Sequence, residues 1–230
     1  TYEGLLTTGS IQLAQKYYEL LKKVKDGQTD LQIDKKIKQV LPDFPKFAIT
    51  YSVTENDEGS HVNQEKMQES LDDYNEMFGT KYDTSQIQGY NANLNKRLAR
   101  KDTKFKSRDE QLDIVIVVDR LLTGFDAPCL STIFIDRQPM GPHDLIQAFS
   151  RTNRIYDKNK AYGQIVTFQA PKYFKECVDS AVRLYSAGST QTAIVAEWEK
   201  VEQAFCKSLH ALRAVAAVPE EVTSMSDKEK

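Results

Sequence analysis

Two arginines and one glutamine recur at helical spacing in the second half of the chain, and their chemistry fits phosphate binding. Gln147, Arg151 and Arg154 stand at positions i, i+4 and i+7, so a helix would carry them on one face. A guanidinium group keeps its charge and can bind two phosphate oxygens at once. The acids nearby, Asp144 and Asp157, cannot offset the cluster within one helical turn. The cluster therefore predicts a polyphosphate site, and the alternative is a solvated polar face.

A second group of polar residues follows the most apolar run of the chain. Thr123, Gly124 and Asp126 come shortly after Asp113–Val118, whose continuous apolar character predicts a strand buried on both faces of a parallel sheet. Ligands of such sheets bind beyond the carboxyl ends of the strands. This position favours a ligand-binding turn, while the simpler alternative is a glycine-containing turn with an Asp cap ahead of Pro128.

A third candidate is the basic segment 95–108, which contains seven basic residues and the single acid Asp102 before residue 109. Its cations are Lys96, Arg97, Arg100, Lys101, Lys104, Lys106 and Arg108. One interpretation is a patch that follows DNA phosphates independently of base sequence, with Lys96, Arg97, Arg100 and Lys101 as the contacts. The alternative is an ordinary solvated helix face.

The sequence lacks the motifs of several common enzyme classes. The chain has no G-x-x-x-x-G-K-[ST] phosphate loop, no G-x-G-x-x-G after a strand, no G-x-S-x-G and no H-E-x-x-H. The three histidines are isolated, and the three cysteines are far apart, so no metal site is predicted. We therefore do not expect a self-contained hydrolase or oxidoreductase of a common class.

Composition indicates a globular protein with no global attraction to nucleic acid. The 230 residues are 40% hydrophobic and 28% charged, with a formal net charge of −2. The spaced cysteines and the lack of a signal peptide favour the cytoplasm. No apolar run is long enough for a transmembrane helix, so no membrane association is expected.

Apolar runs that alternate with helical periods predict an α/β fold with a parallel sheet. Predicted strands lie at 2–8, 47–53, 113–118, 132–136 and 164–168. Predicted helices lie at 11–24, 64–78, 91–102, 142–153, 171–187 and 193–217, with a short helix inside the polar insertion 25–46. The last helix has no strand after it, so we expect one α/β lobe at 1–190 and the start of a helical domain with a charged tail at 191–230.

The motifs LLTGFDAP and LIQAFSRTNRIY resemble those of the restriction (motor) subunit of type I restriction-modification enzymes. They correspond to motifs V and VI of superfamily 2 helicases, and the opening TYEGLLTTGSIQLAQKYYELLKK resembles motif IV. The resemblance implies a fragment that covers the second RecA-like lobe of an ATP-driven DNA translocase and endonuclease. Such a fragment would be inactive alone, because the Walker motifs and the nuclease domain would precede residue 1 in the parent chain.

The same resemblance implies partners and a cofactor. ATP and Mg²⁺ would be bound mainly by the first RecA-like lobe of the parent chain. The other partners would be double-stranded DNA and the modification and specificity subunits of the type I complex.

Residue roles follow from the resemblance in the same way. Arg154 would be the arginine finger that reaches the γ-phosphate, Arg151 its companion on the phosphates, and Gln147 would position them or lie near the attacking water. Gly124 and Asp126 would lie near the nucleotide ribose. The implied contacts to the DNA phosphate backbone are Thr123 and, in motif IV, Thr8 or Ser10.

Two other functions fit the residues. One is a lobe of another superfamily 2 helicase, such as a repair or RNA-remodelling motor. The other is a non-catalytic α/β interaction module whose arginine face binds an acidic protein. A phosphate-loop domain upstream of residue 1 would argue against the module.

Overall fold

The computed structural model describes residues 2–52, 60–118, 127–137, 140–152, 154, 156–160, 162–185 and 198–218. It divides into two compact units, Thr1–Ala181 and Val182–Lys230. Among the described residues, the sheet and five helices lie within the first unit, a sixth helix runs from it past residue 181, and the second unit contains one further long helix. The predicted division at residue 190 stays a prediction.

The first unit is built on a five-stranded parallel sheet, as the apolar runs predict. Its strands are β1 (Glu3–Thr8), β2 (Phe47–Thr50), β3 (Ile114–Val118), β4 (Leu130–Asp136) and β5 (Gln164–Thr167). They are ordered β2-β3-β1-β4-β5, and every neighbouring pair is parallel. The predicted α/β class, a parallel sheet flanked by helices, is therefore confirmed, and its RecA-like character stays a prediction.

Helices cover both faces of this sheet. Those of the first unit are α1 (Ile11–Lys25), α2 (Lys35–Val40), α3 (Ser60–Phe78), α4 (Ile87–Ala99), α5 (Pro142–Thr152) and α6 (Pro171–Tyr185). All six residues of the central strand β1 are buried. Because successive residues of a strand point to opposite faces, this burial requires cover on both sides.

The second unit contributes α7 (Trp198–Val215). It carries an amphipathic pattern, and its apolar residues Phe205, Leu212 and Val215 are 60% exposed or more. Along the described residues, no helix is both long and apolar enough to cross a bilayer.

The basic segment departs from the predicted continuous helix over 91–102. Helix α4 ends at Ala99, because Arg100 takes a left-handed conformation with φ of 48°. Two short 3₁₀ helices follow, Thr103–Lys106 and Arg108–Glu110. The seven cations are therefore spread over three separate helices and the residues that join them.

Candidate functional site

Helix α5 presents part of the predicted phosphate-binding cluster at the surface. Leu145 and Ala148 are fully buried and pack α5 against the sheet next to β4. Gln147 and Arg151 lie on the opposite, partly exposed side of the helix. Nε2 of Gln147 lies 2.8 Å from Nε2 of His143, within hydrogen-bond distance one turn earlier. Helix α5 therefore has a buried apolar side and a partly exposed polar side.

Arg154 lies outside the helix, so its predicted place on the same helical face is wrong. Helix α5 ends at Thr152, and Arg154 is an exposed, non-helical residue beyond it. The physical cause is Lys160, whose Nζ donates a hydrogen bond to the carbonyl oxygen of Thr152 at 2.9 Å and another to that of Arg154. These carbonyl oxygens are thereby bonded at the helix end without a further helical turn.

The predicted ligand-binding turn lies outside the described residues, which resume at Ala127. Thr123, Gly124 and Asp126 therefore stay predictions.

The two motif IV hydroxyls have local structural partners. Thr8 is completely buried, and its hydroxyl donates to the carbonyl oxygen of Ser10 at 3.1 Å. A DNA phosphate cannot reach it there, so the predicted contact through Thr8 is wrong. Ser10 is the N-cap of α1 and accepts a hydrogen bond from the backbone N–H of Leu13 at 3.2 Å. It is partly exposed, and its DNA contact stays a prediction.

Arg97 is a core residue, so its predicted contact with DNA phosphates is wrong. Its side chain has no exposed surface, and the guanidinium carbon lies 3.6 Å from the centroid of the Phe78 ring. Nη1 forms an ion pair with the carboxylate of Glu110, and Nε donates to Oδ1 of Asn93 at 2.9 Å. A cation stacked on an aromatic face and paired with a carboxylate can be buried at tolerable cost.

The predicted contact of Arg100 with DNA phosphates is also wrong. Arg100 is 4% exposed, and its Nε donates to Oε1 of Glu3 at 2.8 Å, while Glu3 itself is 1% exposed. Its Nη2 also lies 3.3 Å from the carbonyl oxygen of Leu112. Burial raises the pKa of the Glu3 carboxyl to about 8, and the charge of Arg100 opposes that rise. Arg100 therefore ties the end of α4 to the central strand and cannot reach a DNA phosphate.

The remaining cations of the segment include one arginine that bridges two carboxylates, and two lysines that are exposed. Arg108 bridges Asp43 and Asp113, with its Nη1 2.6 Å from Oδ1 of Asp113. Lys96 and Lys101 are exposed, so both remain candidates for DNA contacts. The surface available for phosphates is thus smaller than the seven cations of the sequence suggest.

Lys160 was not predicted as part of any site, although it holds the chain beside Arg154. It lies in the polar run Tyr156–Gly163, whose composition is typical of a solvent-exposed loop. No periodicity marks one of its lysines as buried. In the described residues, no group of His, Cys, Asp or Glu could hold a metal ion.

Comparison with known proteins identifies the family. Residues 1–170 match the family model described as type I restriction enzyme subunit R domain 3. The chain is 32% identical over 233 residues to the type I restriction enzyme SauCOLORF180P endonuclease subunit of Staphylococcus aureus (strain COL). It is 30% identical over 233 residues to the SsaAORF53P endonuclease subunit of Staphylococcus saprophyticus.

These alignments cover 100% and 99% of this chain but 23% of each relative, so the chain spans about a quarter of their length. A shorter match, 48% identity over 65 residues, covers 28% of the chain and 6% of the putative MjaIXP endonuclease subunit of Methanocaldococcus jannaschii. The chain belongs to the R subunit family of type I restriction enzymes, with residues 1–170 corresponding to domain 3 of that subunit.

Proposed function

We propose that this chain is the second motor lobe of an ATP-driven DNA translocase and endonuclease subunit. In this proposal Arg154, Arg151 and Gln147 complete an ATP site whose phosphate loop belongs to the first lobe of the parent protein. The observation that carries it is the placement of these residues. Gln147 and Arg151 lie on the outer side of α5, and Arg154 lies exposed on a segment fastened to the end of that helix.

The chemistry follows from the properties of arginine. During phosphoryl transfer, negative charge spreads over the oxygens of the transferred group, and fixed cations lower the barrier by stabilising it. Arg154 would supply this charge from the opposing lobe, with Arg151 on the neighbouring phosphates. Gln147 would orient them or the surroundings of the attacking water. The predicted turn with Gly124 and Asp126 would lie near the ribose.

The first lobe would bind ATP and Mg²⁺, since this sequence lacks a Walker phosphate loop. Closure of that lobe onto α5 would bring the arginines to the nucleotide. We assign no step to a metal held by this chain.

The work of the motor would be translocation of double-stranded DNA. The relatives are named endonuclease subunits of type I restriction enzymes, which supports a nuclease in the parent chain. The proposal adds an assembly with modification and specificity subunits in the cytoplasm. Thr123, Ser10, Lys96 and Lys101 are the candidate contacts to the DNA backbone.

We expect the purified 230-residue chain to show no ATP turnover, with or without DNA. It supplies arginines for the transition state but no phosphate loop to bind the nucleotide. Phosphate release should match a buffer blank, while addition of the first lobe as a separate protein is the positive comparison. Turnover by the chain alone at the roughly 1–100 s⁻¹ common for phosphoryl-transfer enzymes would contradict the proposal.

Lys96→Ala combined with Lys101→Ala should weaken DNA binding by the parent protein equally on all sequences. Each lost phosphate contact lowers the slope of log affinity against log salt concentration by about 0.9. Lys35→Ala combined with Lys36→Ala, two exposed lysines on α2, removes the same charge as a control. Titrations at several salt concentrations measure the slope, and equal slopes for the two double variants would show that Lys96 and Lys101 do not touch DNA.

A further inference from the structure

Lys160 is an almost fully buried lysine whose ammonium group bonds only to backbone in the described structure. It is 2% exposed, and its Nζ donates to the carbonyl oxygens of Thr152 and Arg154. The first of these belongs to the last residue of α5 and the second to the candidate arginine finger. Burying an ammonium group costs free energy unless its N–H donors are hydrogen-bonded. The two carbonyl oxygens therefore stabilise Lys160 in its buried position.

A turn built on Asp157 holds Lys160 in this place. Oδ1 of Asp157 accepts hydrogen bonds from the backbone N–H groups of Asn159 and Lys160 at 2.8 and 2.9 Å. The same oxygen accepts a hydrogen bond from the Tyr2 hydroxyl at 2.7 Å, just before β1 begins. The backbone of Lys160 is thus held by the Asp157 carboxylate, while its side chain bonds to the carbonyl oxygens of Thr152 and Arg154.

Gly163 makes a second, independent contact with the end of α5. A Cβ atom at Gly163 would lie 2.2 Å from Cβ of Thr152 and 2.6 Å from its carbonyl carbon. Backbone atoms cannot yield at these separations as a flexible side chain could. Close packing of Gly163 against Thr152 therefore fixes the end of α5 in addition to the Lys160 bonds.

We propose that Lys160 is the positioning residue of the arginine finger, because its ammonium group fixes the backbone on either side of residue 153 and so sets where Arg154 points. This inference rests on the proposed function. Lys160 would touch neither ATP nor the reacting atoms. Its effect would pass through the backbone of Arg154 alone.

The expected kinetic signature follows from that indirect role. An arginine that acts in the transition state changes kcat, whereas uniform binding of ATP sets KM. Misplacement of a catalytic group by about 1 Å can cost about 10²-fold in rate. Loss of the Lys160 bonds should therefore lower kcat and leave KM for ATP unchanged.

The test uses Lys160→Met in the full-length R subunit, assembled with its complex and DNA. Methionine keeps most of the side-chain volume but cannot donate to the two carbonyl oxygens. We expect kcat of the DNA-stimulated ATPase to fall about 10²-fold. Lys158→Met, an exposed lysine two residues earlier, is the matched control and should keep the parent rate.

A double-mutant cycle separates positioning of Arg154 from a general loss of structure. In an Arg154→Ala background, Lys160→Met should change the single-turnover rate by no more than about twofold, because the group it positions is gone. An equal loss in both backgrounds would overturn the inference. Near-parent turnover by folded Lys160→Met protein would overturn it as well.

Gly163→Ala keeps the inference testable if Lys160→Met does not fold. It should push the Thr152 backbone away and lower kcat in the same way, again with no further effect once Arg154 is absent. Unchanged kcat in folded Gly163→Ala protein would contradict the inference that the end of α5 sets the position of Arg154. The proposed function fails separately, because full turnover by Arg154→Ala protein contradicts it whatever the result with Lys160→Met.

Discussion

Replacement of Arg154 with alanine in the full-length R subunit should lower DNA-stimulated ATP turnover by about 10³–10⁵-fold, the range known for arginine fingers in P-loop NTPases. The fold should survive, because the side chain is exposed and the backbone carbonyl that bonds Lys160 is retained. Steady-state phosphate release measures the turnover, and a thermal melt of the same preparation shows whether the protein is folded.

Related variants separate charge from geometry at this position. Arg154→Lys should restore little activity, because a point charge cannot replace the planar fork of a guanidinium group. Arg151→Ala should also abolish turnover and in addition weaken ATP binding, since Arg151 is placed on the neighbouring phosphates. Lys158→Ala is an exposed control in the same polar run and should behave like the parent protein. DNA binding without ATP should persist in every variant.

Arg100→Met should lower the free energy of unfolding of the 230-residue chain by about 3–5 kcal/mol at about pH 9, above the Glu3 pKa of about 8, because one partner of a buried ion pair is then left alone. The substitution strands the Glu3 carboxyl in the centre of the sheet, where 1% of that residue is exposed. Urea unfolding followed by circular dichroism measures the change.

Lys101→Met is the matched control, because it removes a neighbouring cation that is exposed. Its effect should stay within about 0.5 kcal/mol, as for most surface substitutions. Equal stability of the two variants would mean that Arg100 is a surface cation after all, and would return it to the list of candidate DNA contacts.

The sheet could be predicted because its strands are visible as apolar runs in the local sequence. Ile114–Val118 is apolar without interruption, and such a run has few alternatives to a strand buried on both faces. The buried side of α5 also fits helical spacing, since Leu145 and Ala148 lie one turn apart and are both fully buried. Local pattern and tertiary structure agree in these elements.

The corrections concern residues whose partners are distant in sequence. Arg100 pairs with Glu3, 97 positions away, and no local pattern reveals that a cation in a basic run will enter the core. Arg97 enters the core for a similar reason, because the Phe78 ring it covers belongs to another helix. A count of charged residues treats every arginine as a surface residue. Whether a given arginine is buried depends on partners that are distant in the sequence.

The end of α5 shows the same limit at short range. Helical spacing alone predicts that Arg154 shares a face with Arg151, yet the ammonium group of Lys160 takes the carbonyls at the helix end. Nothing in the run Tyr156–Gly163 marks which lysine is buried. Membership in the R subunit family, which the comparisons show, identifies the family among the alternatives that the residues left open.

Single-turnover cleavage of ATP already bound to the DNA-engaged R subunit complex tests the motor proposal most directly, because it separates the chemical step from nucleotide binding. With Arg154→Ala, bound ATP should be cleaved at least about 10³-fold more slowly than in the parent complex, while the amount of ATP bound stays the same. Cleavage at the parent rate by folded Arg154→Ala protein would contradict the proposal that this lobe supplies the arginine of the ATP site.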